Sequence, residues 1–224
     1  MMKTSRSQLT ISVLGYLARH LGGPLVEKSI RMRRDQLDHL PSAPGSIVML
    51  GDSITDQGEW QELLPDLAVV NRGVGGETSA QVRDRVARSI REPTAVSLLV
   101  GTNDLTAGTP HWQIAANVAA ILDEIERCAP GTPVLLNGIM PRSAKFAREI
   151  HEVNALYKQV AGQRPTVGFI DTWPALRDGE NIRSDLSFDN LHLNGKGYEQ
   201  WLTVLRPALD RAIQQRSHPT STDS

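Results

Sequence analysis

The chain has 224 residues, 40% of them apolar and 22% charged, the balance of one globular domain, which excludes collagen-like, coiled-coil and wholly disordered readings. A formal net charge of −1 without a long basic tract gives a nucleic-acid partner no electrostatic footing. The single cysteine, Cys128, rules out an intrachain disulfide or a cysteine zinc cluster and fits a reducing, cytoplasmic setting.

Charge is divided unevenly along the chain. Within residues 1–40 seven Lys or Arg face three Asp or Glu, a balance of +4, so the remainder carries −5. This separates an N-terminal arm and connector (1–45) from a main domain (46–215) and a polar tail (216–224). In the arm, Leu9, Val13, Leu17 and Leu21 are helically spaced, and Gly22-Gly23-Pro24 ends the run. A second amphipathic stretch over 25–40 carries Val26, Ile30, Leu37 and Leu40. Lys3 and Arg6 ahead of an apolar stretch have the outline of a secretion signal, but Thr10, Ser12 and Gly15 interrupt it and no Ala-x-Ala-like cleavage site comes after it. The arm is expected to pack on the domain or on a second copy of the chain, giving a homodimer; resting on a membrane surface is the alternative. No apolar run reaches the roughly 18 residues of a spanning helix.

After Pro41 to Gly45 the pattern changes to short apolar runs alternating with helical periods. Strands are expected at 47–50, 68–70, 95–100, 133–136 and 167–170, and helices near 58–64, 78–91, 111–128, 146–161 and 195–214. Five strands alternating with helices imply a parallel, doubly wound α/β sheet. Its site should lie beyond the carboxyl ends of the strands, where strand order reverses.

The residues just after the apolar runs carry the chemistry. Gly51-Asp52-Ser53-Ile54-Thr55 comes after the first, Asn71 to Thr78 after the second, and Gly101-Thr102-Asn103-Asp104 after the third; Asp189-Asn190-Leu191-His192 precedes the last helix. Singly, each reads as a turn, a helix cap or a surface pair. The Gly73 to Gly76 run lacks the Gly-Lys-Ser/Thr ending of a phosphate loop. Together, and in this order, they supply a nucleophile, a base with its carboxylate, and hydrogen-bond donors.

This combination resembles the SGNH/GDSL hydrolase family, across about residues 46–210. Ser53 matches the family's nucleophile, Gly76 its block-two glycine, Asn103 its block-three asparagine, and Asp189 and His192 its Asp-x-x-His block. Asn71 to Thr78, Met140-Pro141-Arg142 and Leu191 to Tyr198 resemble the branch that holds the catalytic subunits of type I platelet-activating-factor acetylhydrolase. One departure is Ile54, where many relatives carry Leu. The resemblance implies a flavodoxin-like three-layer sandwich with a five-stranded, mainly parallel sheet. It also implies a serine esterase in which His192 takes the Ser53 proton and Asp189 fixes the imidazole. The Ser53 and Gly76 backbone N–H groups and the Asn103 amide would form the oxyanion hole.

Ile54, Thr102 and Leu191 adjoin these groups in sequence and are the expected acyl wall. As none is glycine or alanine, and as the resembling branch favours acetyl groups, a short-acyl ester is the expected small-molecule substrate. Lysophospholipase, thioesterase and catalytically silent ligand-binding readings stay open. No His, Asp or Glu grouping has metal-ligand spacing, so neither metal nor cofactor is expected. Trp60, Trp112, Trp173 and Trp201 read as core or interface residues, with Trp60 the one placed to border the pocket. Arg142 reads as a surface arginine flanking a helix. Asp52 and Asp104 read as turn organisers.

Overall fold

Five apolar runs form one parallel sheet: β1 (Ile47–Gly51), β2 (Val69–Gly73), β3 (Ala95–Leu99), β4 (Val134–Asn137) and β5 (Val167–Ile170), in the order β2-β1-β3-β4-β5. This is a computed structural model describing residues 25–40 and 44–217. The helix expected over 8–21 and residues 218–224 of the tail lie outside the described residues. Those described form two units, 25–40 and 44–217. In the first, residues 25–39 are helical (α1); Ile30 is buried, whereas Leu25, Val26, Met32 and Leu40 are exposed.

In the second unit the helices are α2 (Ser53–Asp56), α3 (Trp60–Leu63), α4 (Ser79–Arg83), α5 (Val86–Ser89), α6 (Thr102–Ala107), α7 (His111–Cys128), α8 (Ala147–Gly162), α9 (Trp173–Leu176) and α10 (Gly195–Ser217). A small antiparallel hairpin, β6 (Arg177–Asp178) and β7 (Asn181–Ile182), precedes α10. The central strands β1 and β3 are buried throughout because helices cover both sheet faces, so they read as apolar runs, with the buried Ser97 interrupting β3. Alternate residues part to two cores. Val48, Leu50, Val96 and Leu98 pack with Ile114 and Val118 of α7 and Ile150 and Val153 of α8. Ile47, Met49 and Leu99 pack with Trp60 of α3 and Trp201, Leu205 and Leu209 of α10.

The buried amide and indole groups of Asn137 and Trp201 are paired inside the second core, as burial demands. Asn137 Nδ2 donates to Ser97 Oγ at 2.9 Å, and Trp201 Nε1 donates to Asn137 Oδ1 at 3.1 Å, fixing α10 to the middle of the sheet. Trp60 is a correction: it does not border a pocket but lies in this core, 2% exposed and edge-on to Trp201 with ring centroids 5.1 Å apart. Its Nε1 donates to the Thr55 carbonyl at 2.8 Å, and Tyr198 Oη donates to the Ile54 carbonyl at 2.7 Å. Both bonds brace the helix that begins with Ser53. Trp112, by contrast, is 69% exposed rather than core.

The helix expected over 78–91 is two helices, α4 and α5. They part at Arg85 (φ −121°, ψ −4°), whose side chain turns inward to meet Glu77. The one-turn α2 is too short to show a helical period in sequence. Among the described residues no helix is long and apolar enough to cross a membrane.

Candidate active site

Sheet register brings the strand-end segments to one row. Gly51 at the end of β1 pairs with Gly73 of β2 and Leu99 of β3. Ser53, Gly76 and Asn103 therefore emerge just beyond neighbouring strands, around the β1/β3 position where strand order reverses. A side chain at Gly73 would collide with the backbone of Asp56, so glycine lets α2 close down on the end of β2. Gly76 has φ +83° in a turn closed by Glu77 N–H donating to the Val74 carbonyl, a conformation that selects glycine.

Ser53 opens α2, and the Asp52 side chain caps that helix by accepting from Ile54 N–H at 3.1 Å. Ser53 Oγ lies 3.0 Å from His192 Nε2, and His192 Nδ1 lies 2.6 Å from Asp189 Oδ2. The other carboxylate oxygen, Asp189 Oδ1, accepts from Leu191 N–H (2.9 Å), His192 N–H (2.8 Å) and Ser187 Oγ (3.2 Å). Asn190 adopts φ +61°, a left-handed conformation that asparagine tolerates, and so carries the loop from the carboxylate round to the imidazole. Burial works against ionisation of Asp189, but hydrogen bonds from the His192 ring and from the His192 and Leu191 N–H groups outweigh it and hold the carboxyl down at about 2. Asp189 thus stays ionised wherever an ester assay is run. Its side chain is 53% exposed, so water screens its charge.

Asn103, at the start of α6, donates from Nδ2 to the Glu77 carbonyl at 2.9 Å. An amide carries two such hydrogens, and one of them ties down the turn that holds Gly76. Behind that turn Arg85 and Glu77 form a buried ion pair (Nε to Oε2, 2.7 Å). Arg85 Nη2 also donates to the Gly51 carbonyl at 3.2 Å, joining the Ser53 and Gly76 segments through one guanidinium. Asp104 accepts from Ser79 N–H (2.8 Å) and Ser79 Oγ (2.6 Å), anchoring α4. No signal along the sequence pairs these residues.

Ile54, Thr102 and Leu191 line a single cavity of about 10 Å³, together with Leu99, Ile139 and Met140. Its floor residue Asp52 is fully enclosed. Burial pushes the Asp52 carboxyl up to about 7, opposed by the bond from Ile54 N–H and aided by the nearby Asp104 and Glu77 carboxyls. The folded protein therefore holds this proton more tightly than the unfolded chain, where Asp titrates near about 3.9. The stability so gained is complete below that value and is lost as pH rises through about 7. Asp52→Asn keeps an acceptor for Ile54 N–H and is expected to flatten the decline, which amounts to something on the order of a few kcal/mol in the parent protein. Urea midpoints between about pH 4 and 8 measure this, and an equal decline in both proteins would contradict it.

Arg142 requires a second correction. It is half-buried rather than a plain surface residue, and Nη1 donates to Thr102 O (3.2 Å), Thr102 Oγ1 (3.2 Å) and Thr106 Oγ1 (2.9 Å). Its guanidinium carbon stacks 3.9 Å from the centroid of Phe146. Among the described residues no group of His, Cys, Asp and Glu could hold a metal ion.

Residues 49–200 match the family described as GDSL-like Lipase/Acylhydrolase family. The protein is thus a carboxylic ester hydrolase on a flavodoxin-like sheet. The chain belongs to the GDSL-like lipase/acylhydrolase family. It is similar to platelet-activating factor acetylhydrolase IB subunit alpha1 of Homo sapiens, 29% identical over 181 residues that cover 75% of this chain and 77% of the relative. The alpha2 subunit of Homo sapiens is 26% identical over 192 residues, covering 79% and 81%. Two solved structures share the fold. One, from Streptococcus pneumonia and named for platelet activating factor, has a TM-score of 0.81 at 23% identity, covering 87% of this chain and 99% of that one. The other, a carbohydrate esterase family 3 protein from Talaromyces cellulolyticus, has a TM-score of 0.66 at 21% identity, covering 76% and 99%.

Proposed function

We propose that this chain is a serine esterase that cleaves short-acyl, acetyl-type esters through an acyl-enzyme intermediate. The observation that carries this reading is the Ser53 Oγ–His192 Nε2–Asp189 relay, with links of 3.0 and 2.6 Å, beside a cavity of about 10 Å³. His192 Nε2 takes the Ser53 proton as Oγ bonds to the carbonyl carbon. The oxyanion so formed accepts from the Ser53 and Gly76 N–H groups and the second Asn103 amide hydrogen. Collapse breaks the ester C–O bond, and His192 returns its proton to the departing alcohol. Water, deprotonated by the same imidazole, then frees the acid and restores Ser53.

The acyl cavity, walled by Ile54, Thr102 and Leu191, holds about one water-sized group, room for a methyl and little more. Extra methylenes would clash rather than be buried. The word acetylhydrolase in the names of the human relatives supports the same limit. Acetyl or propionyl p-nitrophenyl esters are expected to exceed the octanoyl ester in kcat/KM, and Leu191→Ala to move the optimum to longer chains. An optimum at long acyl chains in the parent protein would instead favour the lysophospholipase or thioesterase reading. A homodimer and a cytoplasmic location belong to this proposal as well. The exposed Leu25, Val26 and Met32 of α1 support a second copy of the chain as partner, and the lone Cys128 supports a reducing compartment.

A further inference from the structure

Glu77 and Arg85 hold two opposite charges out of reach of water, with side chains 0% and 4% exposed. Neither side chain takes part in the steps proposed above. Taking a pair of charges out of water is costly, and a well-packed apolar pair commonly leaves a fold as stable or more so. Stability is therefore a poor reason for this pair. The backbone also gives up a continuous helix for it, since α4 and α5 part at Arg85, whose side chain turns inward.

What the pair holds is the floor of the site. Arg85 Nε donates to Glu77 Oε2 at 2.7 Å, Nη2 to the Gly51 carbonyl at 3.2 Å and Nη1 to Ser89 Oγ at 3.1 Å. A planar guanidinium fixes the angles between these bonds. The Gly51 carbonyl also accepts from Val74 N–H at 3.0 Å, and Glu77 N–H donates to the Val74 carbonyl at 3.3 Å, closing the Gly76 turn. The Glu77 carbonyl in turn accepts from Asn103 Nδ2 at 2.9 Å. Ser53 comes two residues after Gly51, and Gly76 directly precedes Glu77. All the groups assigned to the oxyanion hole are thus tied to one ion pair.

We propose that Arg85 is a positioning residue for ester hydrolysis: its guanidinium, locked on Glu77, sets the spacing of the Ser53, Gly76 and Asn103 donors. The inference rests on the esterase reading and deepens it. Such donors act only where they reach the position at which the carbonyl oxygen becomes charged. A displacement of about 1 Å can cost about a hundredfold in rate. The pair is neutral as a whole, so it works through geometry rather than net charge. An apolar pair could fill the space without linking the segments. A lysine could meet Glu77, but it brings one nitrogen where Arg85 uses its whole fork.

The experiment places Arg85→Lys and the double change Glu77→Leu/Arg85→Met in the 224-residue chain and assays both on p-nitrophenyl acetate. In the double variant the Gly51 carbonyl keeps Val74 N–H and Ser89 Oγ keeps the carbonyl of position 85, so a urea midpoint close to the parent's is expected. Both variants should lose about tenfold to hundredfold in kcat, with KM within about twofold, because the oxyanion forms only after attack. Each is then combined with Asn103→Ala. A pair that acts through the hole matters less once the hole has lost a donor, so its effect on kcat should shrink by about threefold or more. Parental kcat in a folded variant, a loss carried by KM, or losses that simply multiply with that of Asn103→Ala would each overturn the proposal. If the double variant does not fold, Arg85→Lys, which keeps the pair neutral, decides by the same measurements. Failure of both to fold would assign the pair to stability and overturn the positioning role. If the parent chain does not hydrolyse p-nitrophenyl acetate at all, the esterase reading falls first and takes this inference with it.

Discussion

Ser53→Ala and His192→Ala are each expected to lower turnover of p-nitrophenyl acetate by about 10³- to 10⁶-fold while leaving the fold intact. Ser53 Oγ stands 3.0 Å from His192 Nε2, the nitrogen proposed to take its proton. Neither side chain carries the core: the α2 helix is held by Asp52, Trp60 and Tyr198, and the histidine loop by Asp189 and Asn194. Loss of activity should therefore come without a change in urea midpoint. Because the two residues act as one unit, the double variant should be little worse than either single one. Folded single variants with near-parental turnover would remove Ser53 or His192 from the mechanism.

The second large effect is expected at Asn103. Removing one oxyanion donor costs about 2.7–4 kcal/mol of barrier, or about 10²- to 10³-fold in kcat. The oxyanion exists only after attack, so KM should change little in Asn103→Ala. Part of the loss arises indirectly, since Asn103 Nδ2 also restrains the Glu77 carbonyl and with it the Gly76 turn. Asn103→Asp separates the two contributions: a carboxylate repels both the oxyanion and the Glu77 carbonyl, so it should be the more damaging change. Steady-state kinetics on p-nitrophenyl acetate read both variants, and a kcat within about threefold of the parent would contradict a donor role.

Much of this architecture is legible in the residues alone, for a physical reason. Strands buried on both faces are nearly all apolar, so Ile47 to Leu50 and, apart from Ser97, Ala95 to Leu99 stand out. The long α7 shows its period through Ile114, Val118, Ile121 and Ile125. The strand-end segments obey the same logic, and the three-residue spacing of Asp189 and His192 suits a single loop. The hidden part depends on partners far away in sequence. Arg85 interrupts a helix in order to reach Glu77, and Arg142 reaches Thr102 across 40 positions. Trp60 lies in the core rather than at the pocket's border because burial of an aromatic ring is decided by what packs on it. For Trp60 that is Trp201 and Tyr198.

The chemistry of the site turns on whether Ser53 is an activated nucleophile. Reaction of the 224-residue chain with a fluorophosphonate, with mass mapping of the labelled peptide, measures this directly. One phosphonyl group is expected on Ser53, formed much more slowly in His192→Ala and absent in Ser53→Ala. A folded parent protein that takes no label, or takes it on another residue, would contradict the assignment of Ser53 as nucleophile.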